Sequence, residues 1–271
     1  MIIALLVIFL ILLIIALVFV FLTMPRATFR ADMELVSTDY AHRGLWGGGI
    51  PENSLPAFQL AAKRGYGIEL DVALSADGEV MVFHDANLKR MCGVDKKLSS
   101  LTLAELKSLR LAMSEYSIPT FREVLDTVDG KVPILIELKG TTKDDKLCEK
   151  LSELLDNYSG AFCVQSFNPL LLSWFKSHRP RYARGQLTGT MKDMKGEVGA
   201  LKAFVLVNML TNILSRPDFI SIHGKGMMRP SFLLATRLFR VKGFVWTVRR
   251  DSEYKLVRSK GYFAIFENIR P

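Results

Sequence analysis

Between Thr38 and the end of the chain, short β-type runs alternate with helical patterns, and nothing else in the sequence constrains the fold as tightly. Candidate strands lie at 38–42, 67–72, 132–138, 161–166, 182–187, 218–223, 243–248 and 262–267. Candidate helices lie near 53–64, 121–128, 144–157, 169–177, 199–214, 230–240 and 251–259. Thr102 with Glu105 has capping-box spacing, Asn168-Pro169 pairs an N-cap with a proline at the first helical position, and Gly65, Gly160 and Gly261 follow helical stretches. Strands separated throughout by helices predict a (β/α)8 TIM barrel. A doubly wound sheet would call for G-x-G-x-x-G after the first strand, which this chain lacks. One segment breaks the alternation. Only twelve residues, VALSADGEVMVF, separate Asp71 from His84, too few for a crossover helix. Asp77-Gly78 signals a hairpin. A hairpin excursion after the second strand would bring His84 back to the level of Glu69 and Asp71.

Ahead of this pattern stands an apolar segment. The chain is 49% hydrophobic with a mean hydropathy of +0.21, and residues 1–22 are apolar without interruption. Without them the apolar share falls to about 45%, an ordinary globular value. Twenty-two residues make ~33 Å of helix, enough for a ~30 Å hydrocarbon core. No basic residue precedes the run, it is longer than a signal peptide's apolar region, and no A-x-A site follows. It is expected to be an uncleaved transmembrane anchor, followed by a juxtamembrane linker at 23–37 and the barrel domain at 38–271. No second run reaches the ~18 residues a span needs, which excludes a polytopic protein. Arg26 and Arg30 follow the helix, so the positive-inside rule places the domain on the cytoplasmic side. Three cysteines (Cys92, Cys148, Cys163) without a CxxC pair argue against a disulfide framework and suit a reducing compartment.

The net charge of +9 is lopsided. Thr23–Gly140 has 14 Lys and Arg against 16 Asp and Glu; Thr141–Pro271 has 22 against 11. The basic residues are scattered, without the aromatic interleaving or zinc-finger spacing of nucleic-acid binders, so no nucleic-acid partner is expected. No protein partner can be inferred. The stretch 199–214 carries one charge, Lys202. It reads as a barrel helix packed on strands, with a membrane-facing element as the alternative.

Four motifs fall at or near predicted strand ends: AHRG at 41–44 with PEN at 51–53, ELD at 69–71, HD at 84–85 and ELK at 137–139. In a barrel the C-terminal strand ends form the active-site face. Glu69 and Asp71, two apart on a strand, point to one side. With Glu137 they offer three hard oxygen ligands suited to Ca²⁺ or Mg²⁺; zinc would ask for further His or Cys. His42 and His84 suit general base and acid work, and Arg43 and Lys139 suit a phosphate. His223 belongs to no such motif and reads as a structural or surface residue.

In combination and order these motifs resemble the glycerophosphodiester phosphodiesterase family. AHRG, PENS leading to Ala57-Phe58, ELDVALSADGEVMVFHD at 69–85, IPTFREVL at 118–125, IELKG at 136–140, VQSF at 164–167 and VWTV at 245–248 carry the resemblance over about 38–271. It implies a barrel hydrolase that splits glycerophosphodiesters into sn-glycerol 3-phosphate and an alcohol. His42 would be the general base and His84 the general acid; Glu69, Asp71 and Glu137 would hold the divalent cation; Arg43 and Lys139 would meet the phosphate. Glu52, Asn53 and Trp246 are further candidates, and 85–118 fills the place of the family's small insertion. Members commonly carry Thr-Asp near the C-terminus, where this chain has Glu267-Asn268. A lysophospholipase D acting on membrane lysolipids is the alternative enzyme, and a non-catalytic, membrane-tethered phosphodiester-binding barrel the alternative outside enzymes.

Overall fold

The computed structural model describes residues 1–26, 31–34, 36–140 and 145–271. Arg30, on which the expected sidedness partly rests, lies outside them, as does residue 144 at the start of one expected helix.

Among the described residues, nine strands form a single sheet: β1 (Tyr40–His42), β2 (Gly67–Leu74), β3 (Val80–Val82), β4 (Ile134–Leu138), β5 (Phe162–Ser166), β6 (Arg184–Thr188), β7 (Phe219–His223), β8 (Lys242–Val248) and β9 (Phe263–Phe266). All except β3 run parallel, and β1 pairs with both β2 and β9, so eight strands close into the expected barrel. β3 folds back antiparallel on β2 with Val72 opposite Val82. Phe83 N–H then donates to the Asp71 carbonyl at 3.0 Å. His84 therefore returns to the level of Asp71, as the residue count requires.

Alternation along the strands sorts the side chains. Ile68, Leu70, Ile134, Ile136 and Val164 join the large apolar cluster shared with the helices. The barrel's lower end is filled by Tyr40, Leu135, Cys163, Phe219, Phe244 and Ile265, closed from beneath by Met33 and Val36. Two glycines make room for these rings. A Cβ on Gly185 would stand 2.0 Å from the Phe219 ring, and one on Gly67 2.7 Å from Tyr40. Toward the upper end the same strands turn polar, with Glu69, Asp71, Glu137, Gln165 and Ser221 all buried. This polar layer marks the functional end.

Helices occupy Leu55–Lys63, Phe121–Val128, Asp145–Leu155, Pro169–His178 and Asp251–Ser259, near their expected places. Thr102 and Glu105 form the capping box, and Asn168 Oδ1 accepts from Leu170 N–H at 3.0 Å. The insertion packs a small core of its own around Phe83, Leu88, Leu98, Leu106 and Ile118. The stretch 199–214 departs from one continuous helix. It breaks into Ala200–Val207 and Asn212–Ser215, with Met209 buried at a left-handed φ of 57° between them. A helix at Met191–Val198, absent from the expected set, pairs with the first of these. Near 230–240 the helix is four residues, Pro230–Leu233, followed by a π turn. Ile2–Thr23 is a single helix of 22 residues, long and apolar enough for a membrane anchor or a signal sequence.

Candidate active site

The C-terminal ends of the strands surround a cavity of about 870 Å³, lined among others by His42, Arg43, Glu69, His84, Glu137 and Lys139. Asp71 and Glu137 are register partners on β2 and β4. With Glu69 they place three carboxylate oxygens within 4.8 Å of one another. Burial, and then the charges of Asp71 and Glu137, push the Glu69 carboxyl well above its usual range. Burial also raises Glu137, against the pull of Lys139. Burial acts on Asp71 in the same sense, but Lys139, His84, Arg43 and the Asn53 amide outweigh it and hold this carboxyl low. Three acids so close call for positive charge. Lys139 supplies part of it, with Nζ 2.9 Å from Asp71 and 2.5 Å from Glu137. The donor set is all hard oxygen, so it fits a divalent cation of the Mg²⁺ or Ca²⁺ type.

Two residues in left-handed backbone bring the loop after β1 to this cluster. Arg43 (φ 57°) donates its N–H to Glu69 at 3.1 Å, and its Nε lies 3.5 Å from Asp71. Asn53 (φ 51°) donates from Nδ2 to Asp71 at 2.9 Å. Non-glycine residues seldom hold this conformation, and here it aims both polar groups at one carboxylate. Glu52 accepts from Arg43 Nη1 at 2.8 Å.

Each histidine is fixed on its Nδ1 side by a carboxylate, and each carboxylate by an arginine. His42 Nδ1 lies 2.7 Å from Glu267, which pairs with Arg249. His84 Nδ1 lies 2.6 Å from Asp85, which takes two hydrogen bonds from Arg90, at 2.6 and 3.1 Å. Arg90 also reaches Glu52 at 2.6 and 3.1 Å, joining the histidine arm to the Arg43 loop. The carboxylates are acceptors, so Nδ1 carries the hydrogen and Nε2 is left as the basic nitrogen. Burial lowers both histidines. The Glu267 hydrogen bond opposes this at His42, and the charge of Asp71 opposes it at His84. Burial would raise Glu267, yet its bonds to His42 and Arg249 bring it down to about 2.

Of the expected site residues, His42, Arg43, Glu69, His84, Glu137 and Lys139 line one mouth, and Asp71, Glu52 and Asn53 join them through Lys139, Arg43 and Asp71. Trp246 lines it as well, edge-on to Phe167 and to His223, and its buried Nε1 has no hydrogen-bond partner among the described residues. His223 ends β7 and accepts from Lys225 N–H at 3.2 Å. Three supporting residues carried no sequence assignment: Arg90, Arg249 and Glu267. Glu267 stood out only as a departure from the Thr-Asp pattern, and the arginines lie in stretches without a motif. The cysteines form no disulfide among the described residues, and Cys148 and Cys163 are buried.

The family model of the glycerophosphoryl diester phosphodiesterase family matches residues 42–268. The chain belongs to this family. Among its relatives is YhdW of Bacillus subtilis (strain 168), a provisionally named glycerophosphodiester phosphodiesterase. It is 32% identical over 199 residues, 69% of this chain and 82% of its own. A Rattus norvegicus lysophospholipase D is 32% identical over 142 residues, 48% of this chain and 44% of that longer protein. The fold is shared with an Oleispira antarctica phosphodiesterase solved with the product sn-glycerol-3-phosphate. There the TM-score is 0.71 at 23% identity, over 87% of this chain and 94% of the other. A glycerophosphodiester phosphodiesterase is a phosphoric diester hydrolase, and the carboxylate trio is a group that could hold a metal ion.

Proposed function

We propose that this chain hydrolyses glycerophosphodiesters to sn-glycerol 3-phosphate and an alcohol, in phospholipid breakdown, with Ca²⁺ or Mg²⁺ held by Glu69, Asp71 and Glu137. The observation that carries this reading is the placement of three buried carboxylates between two carboxylate-anchored histidines at one barrel mouth. The cation, when bound, draws negative charge from the phosphoryl oxygens. Arg43 and Lys139 add fixed positive charge where the phosphate carries its own. His42, held by Glu267, takes the proton of the attacking hydroxyl or water at Nε2. His84, held by Asp85, delivers a proton from Nε2 to the leaving alkoxide. A bound phosphodiester adds negative charge beside His84 and favours its protonated form. Glu52 and Asn53 hold Arg43 and Asp71 in place, and Trp246 forms part of the substrate wall.

In this reading residues 1–22 anchor the protein in a membrane, 23–37 join anchor to barrel, and the catalytic unit is 38–271, facing the cytoplasm. The test is hydrolysis of glycerophosphocholine by the full chain, with EDTA and then with Ca²⁺ or Mg²⁺ restored. EDTA should abolish turnover, restored cation should recover it, and activity indifferent to chelation would refute the metal assignment. His42→Ala and His84→Ala should each abolish turnover in a folded protein. A second reading, lysophospholipase D action on membrane lysolipids, draws on the relatives of that name and on Leu201 and Phe204. These two are 78% and 53% exposed on a helix near the mouth.

A further inference from the structure

The apolar helix is attached to the barrel at the end opposite the cavity. Residues 1–18 are exposed, and in the last turn only Phe21 is. Thr23 is buried, and its carbonyl accepts from Asn212 Nδ2 at 3.0 Å. Arg216 Nη1 donates to the carbonyls of Phe21 and Met24 at 3.0 and 2.9 Å, and its guanidinium lies 5.2 Å from the Phe21 ring. Arg26 follows at once. Its N–H donates to Pro217 at 3.0 Å, its Nη2 to Pro180 at 3.0 Å, and its Nε lies 3.4 Å from Asp218. Pro180, Asn212, Arg216 and Asp218 all precede the first residues of β6 and β7. They therefore belong to the barrel floor, and the mouth lies about 15 Å of strand away, beyond the far ends of the same strands.

This junction leaves no slack. The exposed part of the helix, residues 2–18, is ~26 Å long, close to the ~30 Å hydrocarbon thickness, so a spanning helix presses the floor against the headgroups. The floor suits that position. Lys176 and Arg181 ahead of β6, Arg237 and Arg240 ahead of β8, and Lys260 ahead of β9 are all exposed. Cations beside an anionic leaflet are attracted by its surface potential. Much of the basic excess of the C-terminal half thus gathers at the end that carries the anchor.

We propose that the barrel stands floor-down on an anionic bilayer with its mouth turned to the aqueous phase. The substrate class is then a water-soluble, fully deacylated glycerophosphodiester and not a lysolipid held in the anchoring membrane. This rests on the phosphodiesterase reading above and on Ile2–Thr23 serving as an anchor. The opposite geometry would seat Leu201 and Phe204 in the bilayer. Their helix follows the one that carries Asp193, Met194 and Glu197 on the cavity wall, so they mark the mouth end.

The full chain, with Cys92→Ser, is labelled with a fluorophore at Lys260→Cys or Phe204→Cys and reconstituted into phosphatidylcholine–phosphatidylglycerol vesicles containing headgroup spin-labelled lipid. The Lys260→Cys label should be quenched at least about twofold more than the Phe204→Cys label. Equal quenching, stronger quenching at Phe204→Cys, or none at either position would overturn the orientation. In the same vesicles, kcat/KM for glycerophosphocholine should exceed that for bilayer-held lysophosphatidylcholine by about tenfold or more. A preference for lysophosphatidylcholine would overturn the substrate class. Hydrolysis of neither compound would refute the phosphodiesterase reading, and the labels would still report orientation.

Discussion

Glu267 and Arg90 act on the site without entering the carboxylate trio. Glu267 raises the basicity of His42 through a 2.7 Å hydrogen bond and its charge. Glu267→Gln removes that charge, so the His42 pKa should fall further. The acid limb of the kcat/KM profile should move to lower pH, and kcat should fall about tenfold or more. Stability gives an independent reading. The Glu267 carboxyl, ordinarily near 4.5, stands at about 2 in the fold. Its contribution is fully present above the ordinary value and fades as pH drops from there toward about 2. Wild type and Glu267→Gln should therefore differ in unfolding free energy at pH 6 and converge in strong acid. Arg90 makes four hydrogen bonds to carboxylates, two to Asp85 and two to Glu52. Arg90→Ala should lower kcat more than it raises KM, and added guanidinium should restore part of the loss. Arg90→Lys should not recover the rate, because a point charge cannot span both carboxylates.

Among the strand glycines, the one on β6 is the most exacting. Gly185 on β6 lies against the Phe219 ring of β7, where an added Cβ has no room. Gly185→Ala should cost about 1–3 kcal/mol by overpacking, read as a lower Tm in thermal unfolding. The break in 199–214 has a related origin. Its continuous apolar character suggested one helix, but residues ahead of β7 must both cover Ala203 and Val207 and reach the floor. Burying Met209 and Asn212 turns the chain between those tasks. Local pattern records apolarity and is blind to that change of direction.

For the whole molecule, a cation held by the trio, as proposed above, would couple its binding to protons. Burial raises the pKa values of Glu69 and Glu137, and the charge of Asp71 beside them adds to the rise. A bound cation would drive both to the ionised form, so binding should release protons. Calorimetric titration of Mg²⁺ or Ca²⁺ in buffers of different ionisation enthalpy should show release, and less of it as pH rises. Absence of any buffer dependence would contradict a cation seated on these residues.

The eight-strand alternation, the hairpin that returns His84, the acids at 69, 71 and 137, and the apolar helix are all legible along the chain. Each is a local pattern: a period, a turn signal or a spacing along one strand. Tertiary structure decided which distant groups meet. Glu267 reaches His42 across 225 positions, and Arg90 reaches Glu52 across 38. It also decided the end from which the apolar helix leaves, because that depends on Asn212 and Arg216 finding the carbonyls of its last turn. Barrel closure creates the first of these contacts by bringing the last strand beside the first, and no pattern within a short window contains any of them.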